Sequence, residues 1–94
     1  MSIDVTIQYH NILRRGAGIN AEQVRLPAGS SVAEALQQLA ATRTTLRSLL
    51  FTGEGDVASH VVVFRNSKIV MHDQFDVQLA DGDELKLFPA VSGG

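Results

Sequence analysis

The sequence contains no cysteine. This excludes disulfide staples, cysteine-ligated zinc, iron–sulfur ligation and any thiol nucleophile, so whatever chemistry the chain carries uses oxygen or nitrogen groups. Proline occurs only twice while 45% of residues are apolar, a balance that separates the chain from disordered and collagen-like sequences. Long hydrophobic runs are missing too. No stretch approaches eighteen apolar residues, and the opening Met1-Ser2-Ile3-Asp4 has no basic region of a secretion signal, so a soluble cytoplasmic protein is expected. Clustered positive charge is also lacking. Residues 1–53 set five arginines against Asp4, Glu22 and Glu34, whereas the remainder sets Arg65, Lys68 and Lys86 against seven acids. Nucleic acid binding needs grouped bases that release phosphate counterions, and this distribution argues against it. At 94 residues the chain is long enough for one small core.

What is present is clear periodicity. Ile3, Val5, Ile7 and Tyr9 alternate with Asp4, Thr6 and Gln8, which predicts a half-buried strand. A loop carrying Leu13, Arg14, Arg15, Gly16 and Gly18 follows, then a short alternating strand over Gln23–Leu26 closed by Pro27-Ala28-Gly29. Ser31 and Glu34 have capping-box spacing, and Val32, Ala35, Leu36 and Leu39 form the apolar stripe of a helix. Leu46, Leu49, Leu50 and Phe51 suggest a second, short helix, and Gly53-Glu54-Gly55-Asp56 an exposed loop. His60–Arg65 has branched and aromatic residues on both faces and belongs inside a sheet. Asn66-Ser67 turns it into Lys68–Met71, and Asp81-Gly82-Asp83 turns the chain into a last strand, Glu84–Phe88, stopped by Pro89. The pattern predicts an α+β domain with one main helix packed on one face of the sheet.

The chain ends Phe88-Pro89-Ala90-Val91-Ser92-Gly93-Gly94. Two terminal glycines arise by chance in roughly 0.5% of chains at average glycine usage, which favours a selected role. Without Cβ atoms they form a thin thread able to enter a narrow active site. The thread ends in a carboxylate, a reactive handle that needs no side chain.

With Leu13-Arg14, Leu26-Pro27, the capped helix, Leu79-Ala80-Asp81-Gly82-Asp83-Glu84 and above all the tail from Phe88, the sequence resembles the ubiquitin-like sulfur carriers. That family includes the molybdopterin synthase small subunit (MoaD) and the thiazole-synthesis carrier (ThiS). The resemblance spans essentially the whole chain and implies a β-grasp fold, a mixed sheet in which the first and last strands lie parallel, over residues 1–88. Residues 89–94 would be a flexible tail.

The resemblance also implies a carrier rather than an enzyme. An adenylating, E1-like partner that holds ATP and magnesium activates the Gly94 carboxylate. A sulfur donor then displaces AMP, leaving a thiocarboxylate, and a synthase subunit accepts the sulfur. Gly94 is the reacting residue and Gly93 gives the tail its freedom. The chain itself binds no cofactor or metal. Ser92 stands where alanine is common, Asn66-Ser67 replaces Asn-Gly, and extra length between Thr42 and Ser59 resembles carriers serving cysteine synthesis. Molybdopterin synthesis is the first expectation; cysteine or thiazole synthesis, a protein modifier that forms isopeptide bonds, and a ubiquitin-like interaction domain that is never activated are the rivals.

If Leu85 and Leu87 face the helix, then Phe88 lies on the opposite side of the sheet beside the tail. The strand His60–Arg65 adds either Val62 with Phe64 or Val61 with Val63 to that side. An apolar patch there suggests partner docking by Phe88, Pro89, Ala90, Val91, Ser92 and Phe64, the alternative being that residues 42–59 cover it. The remaining candidates are weaker. His10, His60 and His72 lack metal-ligand spacing and read as surface or strand-end histidines. Asp81, Asp83 and Glu84 do not continue into a calcium loop. Gly16-Ala17-Gly18 and Gly53-Glu54-Gly55 lack the third glycine of a dinucleotide site, and Arg14-Arg15 reads as a solvated pair or a partner contact.

Overall fold

The alternation at the N-terminus forms strand β1, Ser2–Tyr9, in a computed structural model that describes residues 1–89. Ile3, Val5, Ile7 and Tyr9 are buried, as their spacing predicts. β1 pairs antiparallel with β2, Ala21–Pro27. Between them the segment expected to be a loop is a short helix, α1, Ile12–Ala17. Leu13 and Ala17, one turn apart, bury its inner side, while Gly18 ends it at φ 78° with its N–H on the Arg14 carbonyl at 2.9 Å. One buried pair is too little periodicity to show in a sequence. Gly16 also has a packing reason, since a Cβ there would lie 2.6 Å from Leu49 Cδ1.

Helix α2, Val32–Thr42, begins with the expected capping box. The Glu34 N–H donates to Ser31 Oγ and the Ser31 N–H to Glu34 Oε1, both at 3.1 Å. The remaining N-terminal amides also find acceptors: Val32 on the Val77 carbonyl, Ala33 on that of Phe75 and Ala35 on that of Ser31. The segment of residues 71–79 therefore docks under the start of the helix, after a single 3₁₀ turn at His72–Gln74 that the sequence did not signal. Arg43 separates α2 from α3, Thr44–Leu50, whose Leu46 and Leu50 are buried in the core.

Three further strands complete the sheet: β3, Val61–Arg65, β4, Lys68–Val70, and β5, Glu84–Pro89. Their order is β2-β1-β5-β3-β4, with β1 and β5 parallel and every other pair antiparallel. This mixed sheet, with α2 and the two shorter helices against one face, is the β-grasp arrangement. β5 runs through Pro89, which lies opposite Val61. The Leu87 carbonyl accepts from His10 N–H, so the donor proline lacks at position 89 would point past the end of β1, where no acceptor strand remains.

Candidate functional site

The outer face of the sheet is built by register. β5 buries Leu85 and Leu87 and turns Glu84, Lys86 and Phe88 outward. Val62 lies opposite Phe88 on β3, and Phe64 lies opposite both Lys86 on β5 and Ile69 on β4. Of the two pairings open to the sequence, Val62 with Phe64 faces outward, while Val61 and Val63 are in the core. Phe64 meets Phe88 edge to face, with ring centroids 5.6 Å apart at 80°. His10 stacks flat on the other side of Phe88, at 4.1 Å and 10°. Ile69 is 52% exposed, and Met71 nearby is 54% exposed. Helix α3 packs against α1 and α2, so residues 44–50 lie on the helical side, away from Phe64 and Phe88, which are half-buried.

Toward β2 the same face becomes polar. Gln8 Nε2 donates to Glu84 Oε2 at 3.0 Å, Lys86 Nζ lies 3.9 Å from Glu84 Oε1, and Arg25 Nε pairs with Asp4 Oδ1 at 3.1 Å. The face is thus divided, with its apolar half around Phe88 at the end of β5.

A hydrogen-bonded hub fixes where β5 begins. Asp83 accepts from Ala80 N–H and Arg65 Nε, each at 2.8 Å, and from Asn66 Nδ2 at 2.9 Å. Burial opposes its ionisation, but these donors outweigh burial and hold the carboxyl below the usual aspartate range. Asn66 Oδ1 in turn accepts from Glu84 N–H at 2.9 Å, and Asp81 Oδ1 from Asp4 N–H at 2.7 Å. Asp81 and Asp83 serve turn chemistry, as expected.

Of the predicted site residues, Phe88, Pro89 and Phe64 are brought together at the end of the sheet. Ala90, Val91, Ser92, Gly93 and Gly94 lie outside the described residues. Two members of the face were missed by sequence reasoning. Ile69 follows from the two-residue turn, which puts it opposite Phe64; His10 follows only from extending the alternation of β1 by one residue. The three histidines do not converge: His60 is exposed, and His72 stacks on Phe75 with Nε2 2.7 Å from the Val61 carbonyl. Among the described residues no group of three histidines, aspartates or glutamates could hold a metal ion. No helix among them is long and apolar enough to cross a membrane. Arg14 and Arg15 are exposed on α1, whereas Leu13 belongs to the core.

The model of the ThiS family matches residues 7–94, nearly the whole chain. The chain belongs to the ThiS family. A relative, small archaeal modifier protein 1 of Haloferax volcanii, is 35% identical over 78 residues, covering 83% of this chain and 86% of that protein. A crystal structure of the Haloferax volcanii protein matches with a TM-score of 0.87 and 31% identity, over 97% of this chain and 99% of that one. A chain in the crystal structure of the BexX/CysO complex of Amycolatopsis orientalis matches with a TM-score of 0.72 and 25% identity, over 96% and 99%. This ThiS/MoaD-type, ubiquitin-like domain is accordingly a small carrier or modifier and not an enzyme.

Proposed function

We propose that this ThiS-family chain is a sulfur carrier activated at Gly94. The observation that supports the reading best is the join between a half-buried aromatic face and the tail: β5 runs to Pro89 beside Phe88, and five residues ending in Gly93-Gly94 follow. A Gly94 carboxylate oxygen attacks the α-phosphorus of ATP and pyrophosphate leaves. A sulfur donor then delivers hydrosulfide, whose sulfur attacks the acyl carbon; the acyl C–O bond to AMP breaks, AMP and a proton leave, and a thiocarboxylate remains. ATP and magnesium belong to the E1-like adenylating enzyme, and the face formed by Phe88, Pro89 and Phe64 docks it, with Ala90, Val91 and Ser92 leading the glycines into its active site. The first acceptor we propose is a molybdopterin synthase large subunit, with cysteine and thiazole synthesis as alternatives.

Deleting Gly93-Gly94 tests the reading. The truncated chain should support no ATP–pyrophosphate exchange by the adenylating enzyme of its source organism, while its melting temperature stays nearly that of the parent. Retained exchange would refute activation at Gly94.

A second reading, favoured by the likeness to a protein named as a modifier, uses the same acyl-adenylate for isopeptide bonds to lysines. Intact-mass measurement of the activated chain separates the two. A thiocarboxylate that a synthase large subunit consumes supports the carrier, and lysine-linked conjugates support the modifier.

A further inference from the structure

His10 is the side chain on the outer face whose chemistry the carrier reading leaves unused. Its ring lies flat on Phe88, yet its Nε2 is buried with no hydrogen-bond partner among the described residues. The backbone holds it there from both sides: its N–H donates to the Leu87 carbonyl at 3.1 Å and its carbonyl accepts from Leu13 N–H at 3.2 Å. The next residue, Asn11, sits at φ 57° and ψ −130°, a conformation costly for any residue with a Cβ, and its side chain caps nothing. His72 makes the contrast, since its Nε2 is satisfied by a main-chain carbonyl.

A phenylalanine at position 10 would keep the stack on Phe88 and shed the penalty of a buried, unmade hydrogen bond. A buried nitrogen with no partner among the described residues, beside strained backbone, indicates a geometry kept for a state other than the free chain. Covalent reach says which state. Five residues follow Pro89, and an extended chain spans at most about 3.3–3.6 Å per residue, so an enzyme holding the Gly94 carboxylate must work within about 18 Å of Pro89.

We infer that His10 is a recognition residue, whose Nε2 forms a hydrogen bond with the adenylating enzyme when docking shifts the Phe88 ring and uncovers it. The inference rests on the carrier reading above. It is tested by ATP–pyrophosphate exchange with the adenylating enzyme of the source organism, comparing the parent chain, His10→Phe and His10→Gln, with urea unfolding of each. His10→Phe should fold at least as stably as the parent yet raise the KM for the carrier roughly tenfold, with kcat within about twofold. His10→Gln, which restores a polar atom near the position of Nε2, should bring KM back to within about threefold of the parent. A folded His10→Phe chain with the parent's KM overturns this inference and leaves the carrier reading standing. A His10→Phe chain that loses its fold overturns it as well, because the nitrogen then serves the free protein. Absence of exchange with the parent chain overturns the carrier reading itself.

Discussion

At residue 88 the fold's needs and the proposed docking part company. The Phe88 ring is held by His10 and Phe64 but contributes nothing to the helical core on the other side of the sheet. Phe88→Ala should therefore weaken binding to the adenylating enzyme by about 1–3 kcal/mol, the range of an interface hot spot, with a smaller loss of folding stability. Calorimetric titration set beside urea unfolding measures both. A stability loss larger than the affinity loss would place Phe88 in the fold and not in the interface. Part of this site was legible: alternation put Phe88 outside, whereas Phe64 belonged to one of two open pairings and Ile69, which the two-residue turn sets opposite Phe64, was missed. His10 was not legible, because a lone histidine acquires meaning only through the ring it stacks on, 78 positions away in the chain.

The elements show the same division between local and distant causes. β1, the capping box of α2 and the β3–β4 hairpin follow from neighbours in sequence, and each stands where its pattern put it. α1 and the 71–79 segment do not, since α1 packs on the distant α3 and β5 as well as on β1, and the partners of residues 75 and 77 lie at the start of α2. The hairpin turn illustrates how a local rule bends to a distant demand. Asn66 and Ser67 both adopt positive φ, 49° and 72°, as a type I′ turn requires. Asn66 has reason to stay, because its amide donates to Asp83 and accepts from Glu84 N–H, whereas the Ser67 side chain makes no hydrogen bond among the described residues. Ser67→Gly should raise stability by about 0.5–1 kcal/mol by relieving the left-handed strain. Asn66→Gly should lower it, although it relieves the same strain, since two hydrogen bonds go with the side chain. Urea midpoints of the two variants decide; a stabilised Asn66→Gly would mean that the Asp83 hub contributes little.

On the scale of the whole molecule, one network ties the helices to the sheet and makes the stability of the fold depend on pH. Arg43, between α2 and α3, donates to both Glu22 oxygens at 2.9 and 3.2 Å and to the Ala17 carbonyl at 2.8 Å, while the Tyr9 hydroxyl donates to Glu22 at 2.6 Å. Hydrogen bonds from Arg43, against the opposing effect of burial, hold the Glu22 carboxyl below the ordinary range. With Asp83 also lowered, both groups add stability that is complete above their unfolded values of 4.5 and 3.8 and is lost as pH falls through the folded ones. Tyr9 works in the opposite sense. Burial first, then the hydrogen bond and charge of Glu22, push its phenol well above the usual 10, so its contribution is complete below pH 10 and is lost as pH rises through the folded value. Tyr9 is the only tyrosine and there is no tryptophan, so tyrosinate absorbance reports this one group. In an alkaline titration that absorbance should stay low through pH 10 and rise together with the loss of helical circular dichroism, since the phenol can ionise freely only once the chain opens. Tyrosinate appearing near pH 10 in a chain that keeps its circular dichroism would mean that the Tyr9 hydroxyl reaches water in the folded state, and that the link between β1, β2 and the α2–α3 junction is looser than these distances describe.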